Sequence, residues 1–405
     1  CFKSTDIHIG MDESTEMGLG RYLQFHKYTD RVELFSRHLD RVISICKKYD
    51  FKPMIWSDMY FRLNTKDEEY YRDSPLPAST LKLIPNDISL VYWDYYHDKK
   101  EIYDDMISYH KQTPNEIHFA GGAWRWVGFT PSNRGSFKNT VPALQSCVAN
   151  KIKNVFVTAW GDNGNECSIH SILPVIAMYS NADYFDDYSN ENIDSLLQAV
   201  EGEPLERMML LDLPNMPGRK FVGEAYNPCK YLLYQDVLNS MFDCQIKPGF
   251  GEAYGEYAVT LDKASKESEK YGYVYKNLSL LCSVLELKTT LGMDARKAYK
   301  EGDKETLKKI AKDIIPETVR RLEIFNESMR EQWMRENRPF GFDVVDGRAG
   351  YLRSRLNTAK IEIEQYLNGE LDKIEELETE ILKYDNYDYE IVWNWWLHNV
   401  TVHAI

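Results

Sequence analysis

The first half of the chain alternates short apolar segments with segments of helical periodicity, and this alternation constrains the fold more than any other feature. Five segments resemble buried strands, and we interpret each as the start of a strand–helix unit. Strands that alternate with helices imply a parallel sheet with helical crossovers, so the predicted class is α/β. Five units are too few to close an eight-stranded barrel, and they predict a partial (β/α)8 TIM barrel. The strands are predicted at 6–10, 52–56, 88–93, 116–120 and 154–160, and helices at 27–50, 99–112, 137–152 and 168–180.

Strand-like segments end near residue 190, and long amphipathic patterns replace them. Pro316 suits the first turn of a new helix. A chain of 405 residues is also too long for one ordinary core. We therefore predict a barrel domain over 1–188 and a mainly α-helical domain over 189–405. The helices of the second domain are predicted at 257–292, 303–315, 316–337 and 349–384.

Charge and hydropathy exclude several classes of partner. The formal net charge is −14, whereas nucleic-acid binding needs clustered Lys and Arg, so no nucleic acid is expected. No run of 18 or more apolar residues is present, so no membrane span is expected. The seven cysteines form no CxxC pair and no regular framework, which favours reduced thiols and a cytoplasmic protein. No residue cluster has metal-ligand spacing and no glycine-rich phosphate loop occurs, so we expect no metal and no cofactor.

Aromatic residues make up 13% of the chain, with 28 Tyr and 9 Trp. Sugar rings stack their C–H faces on aromatic planes, so this content suits a carbohydrate-binding protein. Large aromatic cores are the alternative explanation for most of these side chains.

The sequence opens at Cys1 without an initiator Met or a signal peptide. Together with the five strand–helix units, this predicts a fragment of a longer protein. A partial barrel exposes two strand edges and apolar surface. We therefore expect either a missing N-terminal segment or self-association to complete it.

Polar and aromatic residues follow every predicted strand at its carboxyl end. In a (β/α)8 barrel, that end carries the active site. Asp12 and Glu13 are the notable pair, because glycoside hydrolysis needs a carboxylic acid that protonates the departing oxygen. A solvated loop is the alternative reading for this pair alone. The corresponding positions are Asp12-Glu13, Trp56-Asp58, Tyr92-Asp94, Trp124-Trp126 and Trp160-Asp162.

The motif His8-Ile9-Gly10-Met11-Asp12-Glu13 resembles the H-x-G-x-D-E signature of glycoside hydrolase family 20, which ends the fourth barrel strand. Met11 stands where many members have a small residue, usually Gly. The resemblance implies that the chain holds the last five βα units, so that 1–188 is the C-terminal part of a glycosidase catalytic domain. The helical half is similar to the appendage of bacterial and intracellular members. Further motifs follow in the family's order: Trp56 after the fifth strand, Tyr92-Trp93-Asp94 as Tyr-x-Asp, Trp124 or Trp126 as a pocket Trp, and Trp160-Gly161-Asp162 as the closing Trp-x-Glu/Asp.

The resemblance implies an exo-acting, retaining β-N-acetylhexosaminidase that acts on terminal N-acetylglucosamine or N-acetylgalactosamine. The nucleophile is then the substrate's own acetamido oxygen, and an oxazolinium ion forms. Glu13 is implied as general acid and base, Asp12 as the partner of the acetamido N–H, and Tyr92 as the hydroxyl donor to the acetamido oxygen. The implied substrate-binding residues are Trp56, Asp94, Trp124, Trp126, Trp160 and Asp162, with Trp126 packing between helices as an open alternative. Because side chains alternate along a strand, Trp93 is expected to point away from Tyr92 and Asp94.

Two other functions stay open on the sequence. The first is a non-catalytic fragment that binds glycans or serves as a scaffold. The second is a different barrel glycosidase that uses two protein carboxylates. Glu13→Gln separates an enzyme from a binding fragment, and an oxazoline-type analogue separates the two hydrolytic mechanisms.

Overall fold

A computed structural model of the chain describes residues 3–64, 70, 74–386 and 391–394. Its five strands form one parallel sheet in the order of the chain, β1-β2-β3-β4-β5. The predicted class is confirmed: a partial (β/α)8 barrel of five parallel strands precedes a mainly helical region. The strands are β1 (Asp6–His8), β2 (Lys52–Trp56), β3 (Ser89–Trp93), β4 (Ile117–Gly122) and β5 (Asn154–Thr158).

Sixteen α-helices are described in these residues, and the long ones lie in the second half of the chain. None of them combines the length and apolar character needed to cross a bilayer. The helices are α1 (Gly20–His26), α2 (Arg31–Lys48), α3 (Asp58–Arg62), α4 (Ala78–Leu81), α5 (Lys100–His110), α6 (Asn133–Ala149), α7 (Leu173–Phe185), α8 (Asn190–Glu201), α9 (Leu205–Met208), α10 (Pro228–Tyr234), α11 (Phe250–Glu267), α12 (Gly272–Glu301), α13 (Lys304–Lys309), α14 (Ile315–Glu336), α15 (Phe342–Asn368) and α16 (Glu375–Glu378).

Strand pairing brings the carboxyl ends of the five strands to one edge of the sheet. Each ladder joins consecutive strands, with Met54 opposite Ser89 in the second ladder and Leu90 opposite Ile117 in the third. Because side chains alternate along a strand, one set faces the helices and the other set faces the opposite side. The helix-facing set includes Leu90 and Tyr92, which belong to the buried apolar cluster.

Helix α2 shows how the sequence specifies one crossover. The Asp30 carboxylate caps its N-terminus by accepting the N–H groups of Val32 and Glu33 at 3.0 and 3.1 Å. Two lysines occupy the last turn, where positive charge is favoured by the helix dipole. The buried face of this helix joins the apolar cluster through Phe35, Leu39 and Ile43. Capping and one apolar stripe therefore account for both its start and its position.

Several helix boundaries differ from the prediction. The segment predicted as one helix over 257–292 contains the end of α11 and the start of α12, with a break at residues 268–271. The predicted helix 349–384 ends as α15 at Asn368. Pro316 does lie in the first turn of α14, as predicted.

Gly272 permits the close turn between α11 and α12. A Cβ atom at this position would lie 2.5 Å from the carbonyl oxygen of Ser265. The chain turns so closely here that only a residue without a side chain fits. Periodicity alone carries no information about such a backbone approach.

Two compact units are present. Unit 1 comprises residues 1–122 and 137–158, and unit 2 comprises residues 123–136 and 159–405. Unit 1 holds the sheet, and its core lies between the strands and helices such as α2 and α5. In unit 2, α12 packs against α11 and α14. The functional division predicted at residue 188 stays a prediction.

Two glycine substitutions test this account of helix boundaries. Gly272→Ala should lower the free energy of unfolding by about 1–3 kcal/mol, because the new methyl group overlaps the Ser265 carbonyl. Gly347→Ala should raise it by about 1 kcal/mol, because Gly347 lies inside α15 and a methyl group there would meet no neighbouring atom within 4 Å. Thermal unfolding followed by circular dichroism measures both shifts, and equal shifts of one sign would contradict the account.

Candidate active site

The turn after β1 carries Asp12 and Glu13 in an unusual backbone conformation. Gly10, Met11 and Glu13 all have positive φ values of 74°, 78° and 47°. Such a conformation disfavours residues with a Cβ, which gives a physical reason for the family's usual Gly at the position of Met11. Strained backbone is often retained where a side chain has a functional role. Both carboxylates are exposed.

Asp58, at the start of α3, fixes this turn. Its Oδ2 atom accepts the backbone N–H of Glu13 at 3.1 Å, and its Oδ1 atom accepts the Trp93 indole N–H at 3.3 Å. Burial raises the pKa of the Asp58 carboxyl to about 6, although both hydrogen bonds and Arg62 oppose the rise and Asp12 adds to it. One fully buried carboxyl group therefore connects the ends of β1, β2 and β3.

Tyr70 contacts the predicted general acid directly. Its hydroxyl donates a hydrogen bond to Oε1 of Glu13. Its ring meets Trp93 edge-to-face at 4.8 Å, and the Arg62 guanidinium lies 4.3 Å from its centre. Desolvation, followed by the bond to Glu13 and its charge, raises the pKa of Tyr70 to about 12. Glu13 thus lies beside the Tyr70–Trp93 ring pair, and the Arg62 guanidinium packs on the Tyr70 ring.

Tyr92 lies in the helix-facing core. It has no exposed surface, and its ring is 5.2 Å from that of His110 in α5. Its hydroxyl donates to Oδ2 of Asp94 at 2.8 Å, and Nδ1 of His97 lies 2.7 Å from the same oxygen. Oδ1 of Asp94 accepts the Tyr96 N–H at 3.0 Å. The two sequence-predicted residues therefore bind each other, and the roles assigned to them stay predictions.

Trp93 and Tyr96 lie on the side of Glu13 instead. Strand alternation places Trp93 opposite to Tyr92, as expected, and it is Trp93 that reaches Asp58. The Tyr96 ring packs edge-on against Trp93 at 6.3 Å, and 47% of the residue is exposed. Desolvation of the hydroxyl, and then the charges of Tyr95, Tyr70 and Glu13, raise the pKa of Tyr96. These charges place the Tyr96 hydroxyl in the electrostatic field of Glu13.

Trp56 faces the side of the sheet opposite to the helices. Its ring lies 4.2 Å from that of His8 and 6.1 Å from that of Phe156. His8 accepts the Gly10 N–H at Nδ1, and burial, with the charge of His118, lowers its pKa to about 4. A neutral imidazole therefore supports the strand end next to this Trp.

A cavity of about 910 Å3 borders the carboxylates within unit 1. Residues 11–19 line it together with Tyr22 and side chains of α2 such as Phe35 and Arg37. Cavities of this size hold small ligands. Asp12 and Glu13 both contribute to its lining.

The four remaining predicted residues belong to unit 2. Trp124 and Trp126 are both buried and stack on each other at 4.4 Å. Trp160 is 37% exposed, and Asp162 is exposed. The carbonyl of Trp126 accepts the Asn163 N–H at 3.0 Å, so both predicted segments are joined within this unit.

The sequence interpretation did not include Asp58, Tyr70, Trp93 or Tyr96 among the site residues. Asp58 and Trp93 did stand in strand-end motifs, which was a usable signal. Tyr70 lies in a polar segment between strands, and no pattern there indicated a contact with Glu13.

The helical half of the chain matches a known protein family. Residues 206–392 match the family model of the Glycoside Hydrolase 20C C-terminal domain. This match supports the recognition of the chain as the C-terminal portion of a family-20 glycoside hydrolase. This match lies outside the strand motifs, so it confirms the family resemblance from a separate part of the chain. No curated protein matches the sequence.

Asp58 gives the chain a pH dependence of stability that has a defined sign. The folded state holds the Asp58 proton up to a pH of about 6, whereas the unfolded chain releases it near 3.8. Asp58 therefore makes the free energy of unfolding fall as pH rises between these values, by about 3 kcal/mol at most.

Asp58→Asn removes this titration, so the stability of the variant relative to the parent should rise between pH 4.5 and 7.5. Thermal midpoints of both proteins at the two pH values measure the change. A difference that stays constant with pH would contradict the burial of an ionisable Asp58. Asp87→Asn, at an exposed carboxylate paired with Lys47, is the control and should show no comparable trend.

Proposed function

We propose that this chain acts as an exo-β-N-acetylhexosaminidase that hydrolyses terminal non-reducing N-acetylglucosamine or N-acetylgalactosamine with retention of configuration. The observation that carries the proposal is the Asp12-Glu13 pair of the H-x-G-x-D-E motif, at the carboxyl end of β1, in a chain with a family-20C C-terminal domain. The cavity beside both carboxylates is lined by residues 11–19, Tyr22 and α2, and none of the proposed substrate-binding residues lines it, so the proposal does not rest on it.

The proposed reaction has two steps. Glu13 donates a proton to the glycosidic oxygen while the acetamido oxygen attacks the anomeric carbon, so that an oxazolinium ion forms and the aglycone leaves. Asp12 accepts the acetamido N–H and stabilises the positive charge that develops there. Glu13 then takes a proton from water as that water opens the oxazolinium ring. The Asp58 bond to the Glu13 backbone supports this step by holding the acid in one orientation.

The proposed substrate-binding residues would contact the sugar by ring stacking and by hydrogen bonds. Trp56, Trp124, Trp126 and Trp160 offer aromatic faces for the apolar side of the ring. Asp94 and Asp162 offer carboxylate oxygens for sugar hydroxyls. Trp56 and Asp94 are buried within unit 1, and Trp124 and Trp126 are buried within unit 2, whereas Trp160 and Asp162 are exposed.

A second proposal concerns a fragment that binds glycans without hydrolysing them. Among the described residues, β1 pairs with β2 only and β5 pairs with β4 only, so both edges of the sheet are unpaired. We propose that an N-terminal segment or a second copy covers these edges.

The net charge of −14 argues against nucleic acid as a partner.

We also propose a cytoplasmic location. Six cysteines in the described part of the chain are free, and five of them are buried. Reduced thiols are typical of reducing compartments.

Hydrolysis of p-nitrophenyl N-acetyl-β-glucosaminide tests the enzyme proposal. Glu13→Gln should lower kcat by at least about 1,000-fold, because an amide cannot donate the proton. Glu116→Gln, at an exposed carboxylate directly before the amino end of β4, should keep activity near that of the parent. Equal activity of Glu13→Gln and the parent would reject Glu13 as the acid. Binding of N-acetylglucosamine without turnover in the parent would favour the fragment proposal.

The mechanism has its own test. A thiazoline analogue of the oxazolinium ion should inhibit competitively, because it mimics the bicyclic intermediate. A glycosidase with two protein carboxylates forms no such intermediate, so lack of inhibition in an active enzyme would favour that mechanism.

Tyr92→Phe tests the role that the motif implies for the Tyr92 hydroxyl. We expect this variant to lower kcat by about 100-fold, because the acetamido oxygen would lose its hydrogen-bond donor. It should also lower stability by about 1–3 kcal/mol, because it leaves a buried Asp94 oxygen with one partner fewer. An unchanged kcat in a folded Tyr92→Phe enzyme would reject this role.

A further inference from the structure

Residues 160–167, here called the tryptophan loop, follow β5 and carry Trp160 and Asp162. The loop combines two exposed residues with a buried base. Trp160 and Asp162 are exposed, whereas Asn163, Glu166 and Cys167 are buried. The positions of the exposed Trp160 and Asp162 therefore depend on the contacts that the buried residues of the loop make.

Arg125 binds the base of the tryptophan loop at three points. Its guanidinium donates to the carbonyl of Trp160 at 3.2 Å, to Oδ1 of Asn165, and to the carbonyl of Cys167 at 2.6 Å. Arg125 is only 6% exposed and lies between the stacked Trp124 and Trp126 in the sequence. One side chain therefore spans the loop from its first residue to its last.

Backbone contacts reinforce this link. The Asn163 N–H donates to the carbonyl of Trp126 at 3.0 Å, and its side-chain amide donates to the carbonyl of Val127 at 3.2 Å. Segment 123–127 and the tryptophan loop are thus tied along their length, both within unit 2.

The helical region holds the loop from a second direction. Oε1 of Glu166 accepts from Lys230 at 3.0 Å and from Arg348 at 2.8 Å, and all three residues are buried. The carbonyl of Glu166 accepts from Gln332 of α14 at 2.8 Å. Separating a buried carboxylate from its two cationic partners is costly, so these contacts fix the position of Glu166.

Guanidinium chemistry explains why an Arg occupies position 125. Its planar fork presents several N–H groups in fixed directions, so it can satisfy three acceptors that diverge from one another. A lysine ammonium is a compact charge at the end of a flexible chain, and it cannot hold all three in the same geometry.

We propose that Arg125 is a positioning residue that fixes the tryptophan loop, and with it Trp160 and Asp162, for binding of the terminal sugar. The positioning part rests on contacts within unit 2, and the sugar-binding part rests on the proposed function. The helical C-terminal region then serves the substrate site through Glu166, rather than acting only as an appended domain.

Hydrogen–deuterium exchange on the whole 405-residue chain tests the positioning directly. In the parent, the Asn163 amide should exchange slowly, and rapid exchange there would overturn the proposal without any variant. In Arg125→Lys, peptides covering 160–168 should exchange about tenfold faster, because the loop opens more easily. An unchanged exchange rate in that variant would also overturn it.

Arg134→Lys is the matched control. Arg134 lies nine residues further along the chain, in the first turn of α6. It donates to the Met209 carbonyl at 2.7 Å and lies 3.2 Å from Asp212, and no contact described for it reaches the tryptophan loop. It should leave exchange at 160–168 unchanged, whereas an equal rise in both variants would show general loosening and overturn the proposal.

Kinetics of the same variants test the sugar-binding part. With p-nitrophenyl N-acetyl-β-glucosaminide, Arg125→Lys should raise KM about tenfold with a smaller change in kcat, because the loop binds the sugar without touching the reacting bond. A fall in kcat alone, or no kinetic change in an active enzyme, would reject this role. Absence of turnover in the parent would contradict the proposed function instead, while the exchange result would still decide whether Arg125 positions the loop.

Discussion

The buried carboxyl group of Asp58 is the interaction on which the candidate catalytic turn depends. Beyond the last ladder bonds of a parallel sheet, backbone N–H groups need new partners. Asp58 supplies one to Glu13, and its second oxygen binds the Trp93 indole. Keeping this carboxyl out of water is unfavourable for its charged form, which is why its pKa rises to about 6. The Asp58 carboxyl therefore stabilises the turn with positive φ at Met11 and Glu13, although its own burial is unfavourable.

The tryptophan loop of unit 2 is built on the same principle. Arg125 satisfies two carbonyls and one amide oxygen at the base of the loop, and Glu166 is bound by two buried cations. In each unit, a buried charged side chain thus forms hydrogen bonds with backbone groups that have no partner within a sheet or helix. Such groups are costly to bury singly, but bonds to several partners offset this cost and hold the nearby exposed residues on a rigid base.

Much of the architecture could be predicted from periodicity and composition. Strand β2 was predicted with the same bounds that the structure shows, and the order of strands along the chain became the order in the sheet. Helix ends were less predictable. The break before Gly272 depends on the approach of the Ser265 carbonyl, a contact between residues that no periodic pattern records. Likewise, the Tyr-x-Asp motif drew notice to Tyr92, whereas strand alternation puts the intervening Trp93 beside Asp58.

The sequence by itself determined the class of fold, the family signature and the edge of the sheet where the carboxylates lie, because these follow from local periodicity and from the shared direction of parallel strands. Only the tertiary structure decided which side chains meet there. Tyr70 reaches Glu13 across 57 positions of the chain, and Arg348 reaches Glu166 across 182. Contacts over such separations arise from the packing of whole elements, and no local pattern of residues encodes them.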